Sequence, residues 1–313
     1  MSAAPGRSQA SSHRSPQGEG TPVSRAPAVT LVIGSGSVKC AAAIGVVKAL
    51  TEAGIGIERV VGCSGGALFA AGVAMGFDAQ RMTEVTLSTW TRQLTSKRNN
   101  RGLLQLIAPR LFGFKAEGFG LRDDAPMLAA FRAVFGDQRI EDTPIPLHIT
   151  ATDFKNGELV DITRGDLVQA IRASVSLPLV FKPVKMGDRL LVDGYLADPL
   201  PVSVAMKNGG RVIVAVGFES PFQDNVRSAG RFASQLSAIL ANNLLKARLA
   251  FQSAVHHSEM ILILPQFKQR VGLFDTTKVP AIIEEGEEAA LQQMPYLHAL
   301  LSAERERAES VAA

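Results

Sequence analysis

Two apolar runs near the start of the chain decide which folds are open to it. Val29-Thr30-Leu31-Val32-Ile33 ends at Gly34, Ile57 to Val61 ends at Gly62, and each passes through a glycine-containing turn into a helical segment. Apolar stretches of this kind, without the polar alternation of a half-exposed sheet, suit parallel strands buried on both faces. A helix is expected over Ala41 to Ala53, where Ile44, Val47 and Leu50 fall at helical spacing and Gly54 ends the pattern. A second, of small residues, is expected over Ala67 to Met75 and closed by Gly76. Further strands are expected at Leu147-Ala151, Glu158-Asp161, Leu190-Val192, Arg211-Val216 and Met260-Leu264, with helices in the gaps. Strands alternating with helices predict an α/β fold with a parallel or mixed sheet covered on both faces.

With 313 residues, 46% hydrophobic and 20% charged, the chain can bury a large core and is read as one domain over 28–313. Residues 1–27, rich in Ser, Pro, Gly, Arg and Gln, lack the apolar core of a signal peptide and are read as a disordered tail. Cys40 and Cys63 are the two cysteines, in neither disulfide-framework nor metal-ligand spacing, which fits a reducing, cytoplasmic setting and no bound metal. The longest apolar run, Ala67 to Phe77, is too short to span a bilayer. A net charge of +4 favours an anionic surface, phospholipid or nucleic acid, although a merely basic soluble protein fits the charge equally well.

The turn after the second strand reads Gly62-Cys63-Ser64-Gly65-Gly66. A G-x-S-x-G pattern alone is weak, but here it lies between an apolar strand and a small-residue helix, the setting of a nucleophile elbow. Such an elbow forces its serine into a strained conformation that lifts the hydroxyl clear of the sheet, so the flanking positions Gly62 and Gly66 must stay small. The amides of the following helix point toward Ser64 and suit developing negative charge. The competing reading is an ordinary glycine-rich turn with Ser64 as a helix cap.

A nucleophilic serine needs a base. Of the five histidines, His13 falls in the tail, His148 in an expected strand, and His256, His257 and His298 late in the chain, so a Ser-Asp-His order through His256 or His257 is formally open. An α/β-hydrolase, however, places several strands before its elbow, and here one strand and one helix precede the elbow strand. The run Leu190-Leu191-Val192-Asp193-Gly194 also delivers a carboxylate at the end of a strand.

In four places, in order, the chain resembles the patatin-like phospholipases. Gly34-Ser35-Gly36-Ser37-Val38-Lys39-Cys40 is similar to the glycine-rich oxyanion loop after the first strand, and Gly62 to Gly66 to the serine elbow. Ala173-Ser174 with Pro178, Phe181 and Pro183 is similar to the family's A-S-x-S-x-P-x-x-F-x-P, and Val192-Asp193-Gly194 through Pro201-Val202 to its V-D-G-G-x-x-D-N-x-P-V. The resemblance implies a three-layer α/β/α fold with a central, mostly parallel sheet. It implies a Ser64-Asp193 dyad without histidine, and an oxyanion site built from Gly34, Ser35, Gly36, Ser37, Val38 and Lys39. It implies acyl-ester hydrolysis, with a phospholipid or other acyl ester as partner, no nucleic acid and no cofactor. Ser35 and Cys40 replace loop glycines, Tyr195 a small residue and Pro199 an asparagine, which bears on loop and pocket shape.

Other patterns are weaker. Gly34-x-Gly36 has Lys39 where a dinucleotide fingerprint has its third glycine, and Asp153 reads as structural. Between residues 90 and 115, Arg92, Lys97, Arg98, Arg101, Arg110 and Lys115 interleave with Leu103, Leu104, Leu106, Ile107, Leu111, Phe112 and Phe114. A flap on a lipid interface and a solvated helix pair covering the core are both open there. Phe232 to Phe251 reads as a core-packing amphipathic helix, and Glu284 to Glu288 as a solvated face. A general esterase or thioesterase with the same dyad, or a silent lipid-binding protein, are the alternatives.

Overall fold

The computed structural model describes residues 27–312 apart from 92, 93, 95, 221, 223, 256–258, 270, 273 and 274. His13, Arg92, His256 and His257 lie outside the described residues. The strands are β1 (Ala28–Ile33), β2 (Gly56–Cys63), β3 (Leu147–Asp153), β4 (Leu159–Ile162), β5 (Val184–Met186), β6 (Arg189–Asp193), β7 (Val212–Val216) and β8 (Glu259–Ile263). They form one sheet ordered β5-β6-β3-β2-β1-β7-β8, with β4 pairing β3 off this path. The five strands from β3 to β8 are parallel, and β4, β5 and β6 add an antiparallel margin.

The pleat sends alternate side chains to opposite faces, and both faces are apolar. Leu31, Ile33, Val214 and Val216 enter a large core with α1 (Ala42–Glu52), α2 (Gly65–Ala74), α3 (Ala79–Thr89), α6 (Ala125–Phe135), α7 (Leu167–Ser174) and α10 (Val279–Ala312). Val32, Val61, Ile213 and Ala215 enter a smaller one with α8 (Val202–Lys207) and α9 (Ala229–Val255). The result is three layers. β1 and β7 are neighbours whose following helices, α1 and α9, leave to opposite faces, which opens a crevice at their carboxyl ends.

Helices α1 and α10 meet backbone to backbone. A Cβ on Gly45 would lie 2.0 Å from the Ile283 carbonyl and one on Gly286 2.1 Å from that of Ala42, so only glycine fits either position. Gly286 lies inside the acidic run expected to be a solvated face, and the run is only partly that. Glu287 accepts from the Lys48 ammonium at 2.8 Å and Glu285 from the Lys268 amide at 2.9 Å, while Glu284 and Glu288 face water. The three-residue β5 escaped the sequence pattern because it is shorter than any periodicity can register.

Between α3 and α6 the chain forms α4 (Asn100–Ile107) and α5 (Pro109–Phe112). Asn99 caps α4, its side chain accepting from the Gly102 amide at 3.3 Å and donating to Gly120 O at 2.8 Å. A Cβ on Gly102 would meet Gly120 O at 2.1 Å, so this glycine lets α4 press onto 119–122. That segment bonds in turn to the loop after α7, through Leu121 N to Leu179 O and Arg122 N to Val180 O. Among the described residues no helix is long and apolar enough to cross a membrane.

Candidate active site

Ser64 ends the elbow at φ 54° and ψ −128°, a conformation L-residues seldom adopt. The turn is tight because its glycines are pressed by their neighbours. A Cβ on Gly62 would lie 2.6 Å from Ala67 Cα, and one on Gly66 2.3 Å from Ile33 O. Neither glycine takes a positive φ, so close approach and not conformational freedom fixes their identity. Cys63, Gly65 and Gly66 are buried while Ser64 is half-buried, which leaves its hydroxyl within reach of a ligand.

The hydroxyl of Ser64 donates to Asp193 Oδ2 at 2.8 Å. One strand brings the two together: β3 pairs with β2 through Cys63↔Thr150 and with β6 through Ala151↔Asp193, so adjacent β3 residues set both positions. The Asp193 carboxyl is only 2% exposed and accepts a second bond from the Tyr195 amide at 3.1 Å. Its own amide donates to Ser176 O at 3.0 Å, and its carbonyl accepts from Thr152 Oγ1 at 2.8 Å. Burial pushes the carboxyl up to about 7, against the smaller opposing pull of the Tyr195 and Ser64 bonds. A carboxylate so held is a far stronger base than an exposed aspartate.

Ser174, part of the Ala173-Ser174 segment, has a role that no sequence motif announces. Its hydroxyl accepts from the Ser64 amide at 2.8 Å and donates to Thr150 O at 2.7 Å. Two serines, Ser174 and Ser176, thus hold the backbones of Ser64 and Asp193.

The loop 34–39 lies against the elbow, with Ser37 backbone atoms about 3 Å from where a Gly65 Cβ would stand. Gly34 N donates to Val216 O, Ser35 N to Pro199 O and Lys39 N to Gly36 O. Those three amides hold the loop together. Gly36 and Val38 carry the amides without a partner of this kind. The strained position falls on neither replaced glycine: Ser37 takes φ 56°, whereas Cys40 sits in a short helical turn with its thiol bonded to Gly34 O at 3.3 Å. Lys39 is buried, and its ammonium donates to Glu219 O and lies 5.9 Å over the Phe267 ring. Burial pulls its pKa below the ordinary lysine value.

Of the histidines, His148 on β3 pairs with Asp161 at 2.9 Å and His298 is exposed on α10; among the described residues Ser64 Oγ is bonded to Asp193 and to no histidine. Asp153 accepts from the Lys155 amide and shapes the β3–β4 turn. Tyr195 meets Ser237 of α9, and Arg248 of α9 donates to Ala197 O at 3.3 Å, so α9 lies against the turn that follows Asp193.

The chain has relatives among known proteins. The sequence profile of the patatin-like phospholipases matches residues 31–206, and the chain belongs to that family. It is 34% identical over 206 residues to an uncharacterized NTE family protein of Mycobacterium tuberculosis, covering 66% of this chain and 53% of that one. It is 26% identical over 249 residues to patatin-like phospholipase domain-containing protein 7 of Mus musculus, covering 75% of this chain and 18% of that one. The chain therefore spans about half, or less, of the length of these relatives. Among solved structures, VipD from Legionella pneumophila is similar over 89% of this chain and 67% of its own, with 15% identity and a TM-score of 0.43.

Proposed function

We propose that this chain hydrolyses carboxylic esters of lipids, of the phospholipase A or lysophospholipase type, with Ser64 as nucleophile and Asp193 as its base. The observation that carries the reading is the 2.8 Å bond from a strained, half-buried serine hydroxyl to a buried carboxylate. In the first step Ser64 Oγ bonds to the ester carbonyl carbon while its proton passes to Asp193 Oδ2. The carbonyl oxygen becomes an oxyanion, met by the Gly36 and Val38 amides and the first turn of α2. The tetrahedral species collapses, the alcohol leaves with the proton from Asp193, and an acyl-enzyme remains. Water then repeats the sequence, giving its proton to Asp193, and frees the fatty acid and Ser64. Buried Lys39 steadies the loop from behind.

The 90–115 stretch supports a lipid surface as the place of work. Ile107 is 70% and Leu111 83% exposed, so the outward apolar side of α4 and α5 is not spent on the core. Between Lys97 and Lys115 the sequence carries five cations and no carboxylate, a pattern suited to phosphate headgroups.

The test is to incubate the protein with a fluorophosphonate probe and with phospholipid vesicles, beside Ser64→Ala and Asp193→Asn. Labelling and fatty-acid release that vanish in Ser64→Ala support the reading. Labelling that survives Ser64→Ala sinks the nucleophile, and labelling without lipid turnover points to small esters.

A further inference from the structure

Helix α9 is apolar on two opposite sides. One side is buried: Leu245 enters the smaller core, and Ala238 and Ala241 are buried as well. On the other, Phe232, Leu236, Leu240 and Phe251 recur at intervals of four and eleven residues, which align on a helix, and all four face solvent. Leu240 is 68% exposed and Phe251 59%. Core packing, the role expected from sequence, accounts for the first side alone.

The charges say what would cover the second. From residue 225 to residue 258 the sequence contains no Asp or Glu, while Arg227, Arg231, Lys246 and Arg248 fall within it. Arg227 and Arg231 stand just before and within the first turn of α9, where the helix dipole disfavours cations and the turn itself holds no acidic residue, Asp224 being the nearest carboxylate in sequence. An anionic surface beside Phe232 would offset that cost. Lys246 lies 3.9 Å from the exposed Glu219 and Arg248 donates to Ala197 O, while Arg227 and Arg231 are both exposed, Arg231 with one donor on Asn225 O at 3.2 Å. α9 also touches the turn that supports Asp193, through Tyr195 and Ser237.

We propose that the outer side of α9 docks on an anionic phospholipid bilayer, with Phe232, Leu236 and Leu240 among the acyl chains and Arg227 and Arg231 on the phosphates. Its purpose rests on the lipid-ester reading; its measurement does not. Seated there, α9, which packs against the turn after Asp193, adds a second membrane contact separate from α4 and α5.

The test is flotation of Ser64→Ala protein with phosphatidylcholine vesicles, with and without phosphatidylglycerol. Binding is expected with the anionic vesicles, weaker as salt rises. It should fall at least about tenfold in the triple variant Phe232→Ser, Leu236→Ser, Leu240→Ser and in the double variant Arg227→Gln, Arg231→Gln. On the active background, both variants should cleave a soluble short-chain ester as before. Unchanged flotation of the triple variant overturns the proposal, as does a dimer that the triple variant turns into a monomer, since a second copy would then be what covers α9. Absence of soluble ester hydrolysis in the unmodified protein would instead strike the dyad reading and leave the flotation result to stand.

Discussion

The hydroxyl of Ser174 spans the gap between the Ser64 amide and the carbonyl of Thr150, 2.8 Å on one side and 2.7 Å on the other. The strained elbow is thereby pinned to α7 and β3 through one buried side chain. Ser174→Ala strips both groups of this partner, which costs about 1–3 kcal/mol. Steady-state kinetics should show kcat down by about tenfold or more with KM little changed, because the hydroxyl of Ser64 loses its aim and not its substrate. A fall in melting temperature with an unaltered kcat would make Ser174 merely structural.

The Asp193 carboxyl sets opposed pH dependences. As the proposed base it must be ionised, so kcat/KM should rise with pH and reach half its plateau at about pH 7. Its folded pKa lies above the unfolded value near 4, so the folded chain holds a proton that the unfolded chain has released. The stability contribution is therefore complete below about pH 4 and lost as pH rises through about 7, by an amount on the order of 4 kcal/mol. Asp193→Asn should be inactive yet melt higher than the parent at pH 8, a difference that closes toward pH 4. Equal melting curves at both pH values would contradict this.

Gly66→Ala should lower stability by about 3 kcal/mol or more, since the new methyl would lie 2.3 Å from Ile33 O and 2.5 Å from Gly34 O, both backbone atoms. Gly118→Ala, where nothing lies within 4 Å, should be nearly silent. Thermal unfolding of the pair separates close approach from a general intolerance of replaced glycines.

Both thiols, Cys40 and Cys63, are buried, and burial holds each pKa above the ordinary thiol value. Iodoacetamide should therefore label the folded protein slowly at neutral pH and add two groups per chain once it is denatured. Rapid labelling of either cysteine in the native state would mean that the elbow or the loop opens readily.

Most strands and Ser64 were legible because each depends on local pattern, while Asp193 became a candidate base through the family resemblance. The β-branched run to Ile33 makes a buried strand in almost any α/β context, and a serine between glycines after such a strand has few other uses. Less could be read where distant segments set the outcome. The replaced glycines at Ser35 and Cys40 bore on loop shape, yet the left-handed residue is Ser37, whose backbone packs against Gly65. The work of Ser174 needs the chain to fold before its partner comes near. Helix α9 shows apolar periodicity in sequence, but periodicity alone does not tell which of two apolar sides meets the core.

β3 acts as a common ruler for the chemistry. Because Thr150 registers Cys63 and its neighbour Ala151 registers Asp193, the spacing of the reacting pair is written into two consecutive residues of one strand. The long excursion that carries α4 and α5 lies outside that ruler. On the proposed reading its exposed apolar and basic residues could be exchanged without altering the β3 register, so where the chain docks and how Ser64 acts would be separately tunable.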